Sequence, residues 1–182
     1  MPSIKIRTRI YLAVEGEGEQ SFVRLLQEFA NQNGLYVHLD CQVLDGGGYE
    51  PMFKRALLYR QCAKKQKNKV KSSILLIDAD RDQRKDDGWT LLQLKQEAGK
   101  SDLQVCVQDP NQEGLLFRML PRNENKQPSV LHAHKQLLKE WPNYQKPADF
   151  YKLRQKFNLN DLLRVAKFDK ELSNLLTIIG LK

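Results

Sequence analysis

Residues 10–20 read I-Y-L-A-V-E-G-E-G-E-Q, an apolar run that ends abruptly in three carboxylates separated by two glycines. The apolar part has the length and composition of a buried strand, and Glu15 falls at its carboxyl end. Gly16 and Gly18 permit a tight turn. The next segment spaces apolar residues at helical intervals: Phe22, Leu25, Leu26 and Phe29. The stretch therefore predicts a strand, an acidic turn and a helix.

A second acidic strand end occurs further along the chain. The apolar run Ser73–Ile77 leads into D-A-D-R-D, which places Asp78 and Asp80 after another strand. Successive strand residues point to opposite faces, so the D-x-D spacing predicts both carboxylates on one side. The carboxyl ends of parallel strands meet at one edge, where open α/β sheets bind ligands. We therefore expect Glu15, Asp78 and Asp80 to lie together at that edge.

The acidic cluster formed in this way needs a cation. Neighbouring carboxylates repel one another, and each has its pKa raised unless a positive charge neutralises the group. Ligation by oxygen atoms alone suits Mg²⁺ or Mn²⁺ rather than zinc. If the helix begins near Gly18, Glu19 lies in its first turn and faces the same space as Glu15. The pattern predicts a magnesium or manganese site with Glu15, Asp78 and Asp80 as candidate catalytic residues.

A third acidic segment follows another predicted strand, Leu103–Gln108. The strand end delivers D-P-N-Q-E, residues 109–113, to the same sheet edge. Glu113 then opens a helix, where a carboxylate is favourable in any case because of the helix dipole. Glu113 is therefore either a helix-capping residue or a member of the site.

Three further segments near this edge have two interpretations each. The triple glycine at 46–48 lacks the lysine and spacing of a P-loop, which favours a turn over a nucleotide cradle. The lysine-rich run at 64–71 is either a solvated loop or a phosphate-binding segment. The polar segment 81–89 is expected to form a loop over the site, with its charges paired at the surface.

Charge and composition limit the class of protein. The chain has 182 residues and a net charge of +8, and the excess is C-terminal: residues 111–182 hold thirteen basic and seven acidic side chains. This distribution suits a metal-dependent enzyme acting on a polyanion, or a basic protein whose lysines only provide solvation. The absence of long apolar runs and signal-peptide features predicts no membrane segment. The three cysteines lack metal-binding spacing and favour a reducing cytoplasm.

The predicted fold class is α/β, with a mostly parallel sheet flanked by helices and a C-terminal helical extension. The predicted division places a catalytic domain at 1–120 and the extension at 121–182, after a polar, proline-bounded linker. Helices are expected at Ser129–Trp141, Asp149–Phe157, Asn160–Phe168 and Asp169–Ile179, with Ser129, Asp149 and Asn160 as possible N-caps. The aromatic pair of Trp141 and Tyr144 is interpreted as packing between helices rather than as a base-stacking platform.

The motifs resemble those of a TOPRIM domain, the metal-binding fold of topoisomerases, primases and OLD-type nucleases. A strand ends in E-G-x-x-E, and a later strand ends in D-x-D. More narrowly, V-E-G-E-G-E-Q-S-F, L-I-D-A-D-R-D and D-P-N-Q-E-G-L-L-F-R-M resemble the small RloB-like branch. The resemblance covers roughly residues 8–120. In the third segment that branch often has N-P-x-x-E-x-W-L-L, so the match at Glu113 is less close.

The resemblance implies a Mg²⁺-dependent nuclease that acts on DNA or RNA. Similarity to two-metal OLD-type nucleases implies that Glu19 and Glu113 complete a second metal position, and that Glu15 is a ligand or general acid/base. It also implies prokaryotic defence against phage with an ABC- or AAA-type ATPase partner. The alternatives are a non-catalytic, TOPRIM-like module that regulates such an ATPase, and aspartate-based phosphotransfer through Asp78. Arg81 and Asp82, which follow D-x-D, disfavour phosphotransfer.

Overall fold

The computed structural model describes residues 6–65, 69–80 and 88–182. The expectations for residues 1–5, for 66–68 of the lysine-rich run and for 81–87 of the polar loop lie outside the described residues. Within the described part, the chain forms four strands and eight helices. None of these helices is both long and apolar enough to cross a membrane.

Strands and helices alternate in the first two thirds of the chain, and the described C-terminal third contains helices without strands. The alternating elements are β1 (Thr8–Val14), α1 (Glu17–Gln32), β2 (Val37–Val43), α2 (Tyr49–Lys64), β3 (Val70–Asp78), α3 (Leu91–Lys100), β4 (Gln104–Gln108) and α4 (Gln112–Met119). The C-terminal helices are α5 (Val130–Glu140), α6 (Phe150–Lys156), α7 (Leu159–Val165) and α8 (Lys170–Ile179). The predicted order of elements is confirmed.

The described strands form one sheet in the order β2-β1-β3-β4, and all neighbouring pairs are parallel. Parallel pairing requires a crossover between consecutive strands, and helices α1, α2 and α3 provide it. The predicted α/β class, with a parallel sheet flanked by helices, is confirmed. The chain first moves from β1 to β2 and then returns past β1 to β3. This reversal creates a switch point between the carboxyl ends of β1 and β3.

Both faces of the sheet are covered, which explains why its central strands are almost continuously apolar. In β1, Ile10, Leu12 and Val14 point into a core formed with α1 and the C-terminal helices. Tyr11 and Ala13 point into a second core formed with α2 and α3. The period-two alternation of a strand thus assigns successive residues to different helical layers.

The predicted C-terminal helical extension is confirmed, and it contributes to the core of the sheet. Leu137, Leu153 and Leu176 are fully buried in the same cluster as Phe22 and Leu116. The domain boundary at 120/121 stays a prediction, since residues on both sides of it share this core.

One predicted helix start is wrong. Helix α7 begins after Asn158, whose side chain accepts hydrogen bonds from the amides of Asn160 and Asp161. The reciprocal bond from the Asn158 amide to the Asp161 carboxylate closes a capping box, and Asn160 therefore lies inside the helix.

Candidate active site

The turn between β1 and α1 places two glutamates at the switch point. Glu15 is the first residue beyond β1, and α1 begins at Glu17, slightly before the predicted start. Gly16 is the N-cap residue, and its amide donates to the Glu19 carboxylate at 3.0 Å. Glu19 is only 7% exposed. Its carboxylate therefore both caps α1 and borders the site.

The end of β3 differs from the prediction. Asp78 is the last residue of the strand, whereas Asp80 lies beyond it. The Asp80 amide donates to the Pro110 carbonyl at 3.0 Å, which ties this position to the segment after β4. The strand-alternation argument does not apply to Asp80, because this residue lies outside the strand. The Asp80 charge nevertheless raises the pKa of Asp78.

The connection between β4 and α4 buries Glu113. Asn111 caps α4 by accepting a hydrogen bond from the Gly114 amide, and Glu113 lies in the first turn with 1% exposure. One carboxylate oxygen of Glu113 accepts from the Tyr144 hydroxyl at 3.0 Å and forms an ion pair with Lys146 at 2.9 Å. Glu113 is therefore more than a helix cap, because it anchors two side chains of the C-terminal extension.

The carboxylates of these three connections interact with one another. Burial raises the pKa of Asp78 well above its ordinary value, and the charges of four carboxylates raise it further: Glu19, Glu15, Asp80 and Glu113. Burial also raises the pKa of Glu19, and the Glu15 and Glu113 charges add to the effect. The structure thus brings together all five carboxylates that the sequence singled out.

A cleft of about 350 Å³ is lined by three of these carboxylates, Glu15, Glu19 and Asp78, whereas Asp80 and Glu113 do not line it. The β1–α1 turn forms one wall, and the segment after β2 contributes Asp45 and Gly46. The Gly46 amide donates to the Glu15 carbonyl at 3.0 Å, so the first glycine of the triple-glycine segment holds the turn against the site. Lys146 and Pro147 border the cleft from the C-terminal extension.

Three side chains at the site were not predicted from the sequence to belong to it: Gln112, Tyr144 and Lys146. Gln112 is 4% exposed, its side-chain Nε2 has no hydrogen-bond partner, and it packs against Gly18. Tyr144 packs against Trp141 with ring centroids 5.4 Å apart. This contact agrees with the packing interpretation of the aromatic pair. No local motif marks Lys146 among the thirteen basic residues of 111–182.

The donor set fits a divalent cation chemically, although the side chains are not arranged as a ligand shell. In the described parts of the chain, no group of three or more His, Cys, Asp or Glu side chains is positioned to hold a metal ion. Asp78 Oδ1 is buried and has no hydrogen-bond partner. The surrounding carboxylates supply only oxygen donors, which hard cations such as Mg²⁺ prefer.

Comparisons of the chain with known protein families, curated proteins and solved structures found no match. The class of the protein is therefore defined by its own architecture. It is an α/β protein with a carboxylate-lined cleft at the switch point of a parallel sheet.

Proposed function

We propose that this chain is a Mg²⁺- or Mn²⁺-dependent phosphodiesterase of the TOPRIM type, close to the RloB-like branch, that hydrolyses DNA or RNA. The observation that carries the proposal is the convergence of four other carboxylates on Asp78, whose buried Oδ1 has no hydrogen-bond partner. Such a concentration of negative charge is costly unless a cation joins it. The position at the switch point is where α/β sheets bind their ligands.

Asp78 and Asp80 would hold the first ion, with Glu15 as a further ligand or as the general acid/base. Glu19 and Glu113 would complete a second position. Bound ions would supply Lewis-acid polarisation of the phosphate and a lowered pKa for a coordinated water. Glu113 already accepts two hydrogen bonds on Oε1, so only its other oxygen remains for this purpose.

The protein side chains have separate tasks in this proposal. Glu15, at the carboxyl end of β1, is the candidate general acid/base, because it borders the cleft directly. Lys146 supplies positive charge for the phosphate oxygens as negative charge develops on them. Glu113 orients Lys146 through the ion pair, and Tyr144 fixes Glu113 from the other side.

The biological setting is proposed from the TOPRIM and RloB-like resemblance. It comprises a cytoplasmic location, nucleic acid as substrate, a role in prokaryotic defence against phage and an ABC- or AAA-type ATPase partner. The basic C-terminal third supports the choice of a polyanionic substrate.

The proposal is tested by incubating plasmid, single-stranded DNA and tRNA with the protein and Mg²⁺ or Mn²⁺. Wild type should cut at least one of them, and Asp78→Ala/Asp80→Ala should not. Glu97→Ala is the control, because it removes an exposed carboxylate that pairs with Lys100 on α3, away from the cleft.

If wild type does not cut any of the three substrates, calorimetry with each ion shows whether it binds a metal. If wild type neither cuts nucleic acid nor binds a metal ion, the enzyme is rejected and the regulatory module of an ATPase complex is favoured. Metal binding without cutting would direct the assay to the protein together with its ATPase partner.

A further inference from the structure

A second cleft, of about 320 Å³, lies beside α6. Its lining side chains are two lysines, two amides and one aromatic ring, and none of them is acidic: Trp141, Asn143, Lys152, Gln155 and Lys156. We call this cleft the α6 groove. A groove lined by cations and amide donors attracts an anionic ligand.

The floor of the α6 groove is a buried aromatic cluster. Trp141 is 8% exposed, and its ring packs against Phe157 with centroids 5.6 Å apart. The Lys156 ammonium lies 5.7 Å from the centroid of the Trp141 ring. Because the ring is buried and covered, it supports the groove and does not offer a free face for stacking on a base.

The two lysines keep their charge available. Lys152 donates to the neutral side chain of Gln145 at 2.6 Å, and Lys156 contacts the Trp141 ring. Among the described residues, no carboxylate forms an ion pair with either lysine. A phosphate could therefore bind both lysines without breaking an existing ion pair.

The surrounding segment is basic as well. Residues 139–156 contain five basic and two acidic side chains. Asp149 is engaged as the N-cap of α6, where it accepts from two backbone amides. Glu140 accepts from Asn123 at 2.7 Å. Of the five basic side chains, Lys146 pairs with Glu113 and Arg154 pairs with Glu28. Among the described residues, the other three form no ion pair, so unpaired positive charge remains beside the groove.

The α6 groove and the candidate active site are lined by residues that are close in sequence. Asn143 lines the groove, and Lys146 borders the carboxylate cleft. Three residues of chain span at most about 11 Å. One strand of a duplex presents a phosphate about every 3.4 Å along the helix axis, so this distance corresponds to about three phosphates. One strand can therefore contact both places.

We propose that the α6 groove binds the phosphate backbone of the nucleic-acid strand that flanks the reacting phosphate, through Lys152 and Lys156. The inference rests on the proposed function, because it assigns a path to the same substrate. It also defines the mode of recognition: contacts are made to the backbone and are independent of base sequence.

The test measures nucleic-acid binding in EDTA, so that metal-dependent cleavage does not affect the measured affinity. Fluorescence anisotropy follows a labelled oligothymidylate of about 20 nucleotides and a duplex of equal length between about 50 and 200 mM salt. Wild type is compared with Lys152→Gln/Lys156→Gln. The control Lys54→Gln/Lys100→Gln removes the same charge from α2 and α3, on the other face of the sheet.

Loss of two phosphate contacts should reduce the slope of log K against log salt by about 1.4 for the single strand and about 1.8 for the duplex. The control and Lys152→Arg/Lys156→Arg should retain the wild-type slope. An unchanged slope in the glutamine variant would contradict phosphate binding by the α6 groove. The nuclease proposal would be unaffected if wild type still cuts. Absence of binding by wild type to both probes would contradict nucleic-acid binding by the α6 groove. The enzyme itself is rejected only if wild type neither cuts nor binds a metal ion in the separate assays.

Discussion

Lys146 is the cation that the structure adds to the acidic cleft. Burial opposes its protonation, but the hydrogen bond to Glu113 and the nearby carboxylates outweigh burial and raise the pKa of Lys146. The ammonium group is therefore charged throughout the neutral range. It acts as a fixed positive charge and does not serve as the general base.

Replacing Lys146 should reduce catalysis more than it reduces stability. We expect Lys146→Ala to lower kcat about 10²–10³-fold, as for the loss of one transition-state donor, and Lys146→Arg to retain more activity. Metal affinity, measured by calorimetry, should not decrease, because Lys146 is not a ligand. Lys139→Ala serves as the control, since this lysine is also exposed in the C-terminal extension. A wild-type kcat in Lys146→Ala would exclude the assigned role.

Asp78 should destabilise the metal-free protein at neutral pH. Folding raises its pKa, so between the ordinary and the raised values the folded state holds a proton that the unfolded state has lost. The contribution of Asp78 to stability therefore falls as pH rises through that interval. We expect Asp78→Asn to raise Tm in EDTA, and to raise it more at pH 8 than at pH 4.

Metal ions should reverse the order of the Tm values of wild type and Asp78→Asn. If Mg²⁺ binds the folded wild type as proposed, it should raise the wild-type Tm, whereas Asp78→Asn should respond little. Differential scanning calorimetry of both proteins checks the Tm difference in EDTA and the response of each Tm to Mg²⁺. If Asp78→Asn were less stable than wild type in EDTA at pH 8, the charge-repulsion argument would be wrong.

At the scale of single elements, the short connection between β4 and α4 is tightly packed. A Cβ atom added at Gly114 would lie 2.5 Å from Cδ of Pro110, and a proline ring has no freedom to move away. The close approach of α4 to this connection therefore requires glycine. It also holds Glu113, the preceding residue, at the site.

We expect Gly114→Ala to destabilise the protein by about 1–3 kcal/mol, the usual cost of overpacking. Gly99→Ala is the matched control, because nothing lies within 4 Å of a Cβ at this exposed helical position. It should be stabilising by up to about 1 kcal/mol through helix propensity. Thermal unfolding should separate the variants, at about 2–4 °C per kcal/mol for a chain of this size. Equal Tm values would contradict the packing argument.

At the scale of the whole molecule, the C-terminal helices complete both the core and the site. They cover one face of the sheet together with α1, and they carry Tyr144 and Lys146 to Glu113. The region with the motif resemblance, residues 8–120, therefore depends on the extension for burial of its apolar surface and for its charge balance.

A chain truncated to residues 1–120 should not fold cooperatively. The apolar side of α1 and α4, including Phe22 and Leu116, would lose its cover and be exposed to water. We expect no sharp thermal transition by circular dichroism and strong binding of a hydrophobic dye, in contrast to the full chain. A cooperative transition in the truncated chain would instead support an independent domain boundary at 120/121.

The prediction of the fold from the sequence succeeded where local patterns are strong. Alternation in β2 and the apolar runs of β1 and β3 indicate strands, and their order with the intervening helices predicts a parallel sheet. The sequence did not show that Asp80 lies beyond the strand, because strand periodicity cannot show where a strand ends. The position of Asp80 depends on its hydrogen bond to Pro110, which is distant in the sequence.

The sequence by itself determined the α/β class and the carboxylates that follow its strands. These features are local: side-chain periodicity defines the elements, and parallel pairing brings strand ends to one edge. Only the tertiary structure decided that Lys146 and Tyr144 join Glu113, and that the C-terminal helices share the core of the sheet. The physical reason is that these contacts connect residues distant in sequence, from about thirty positions for Glu113 and Tyr144 to more than a hundred for Phe22 and Leu153. Such pairing depends on how whole helices pack.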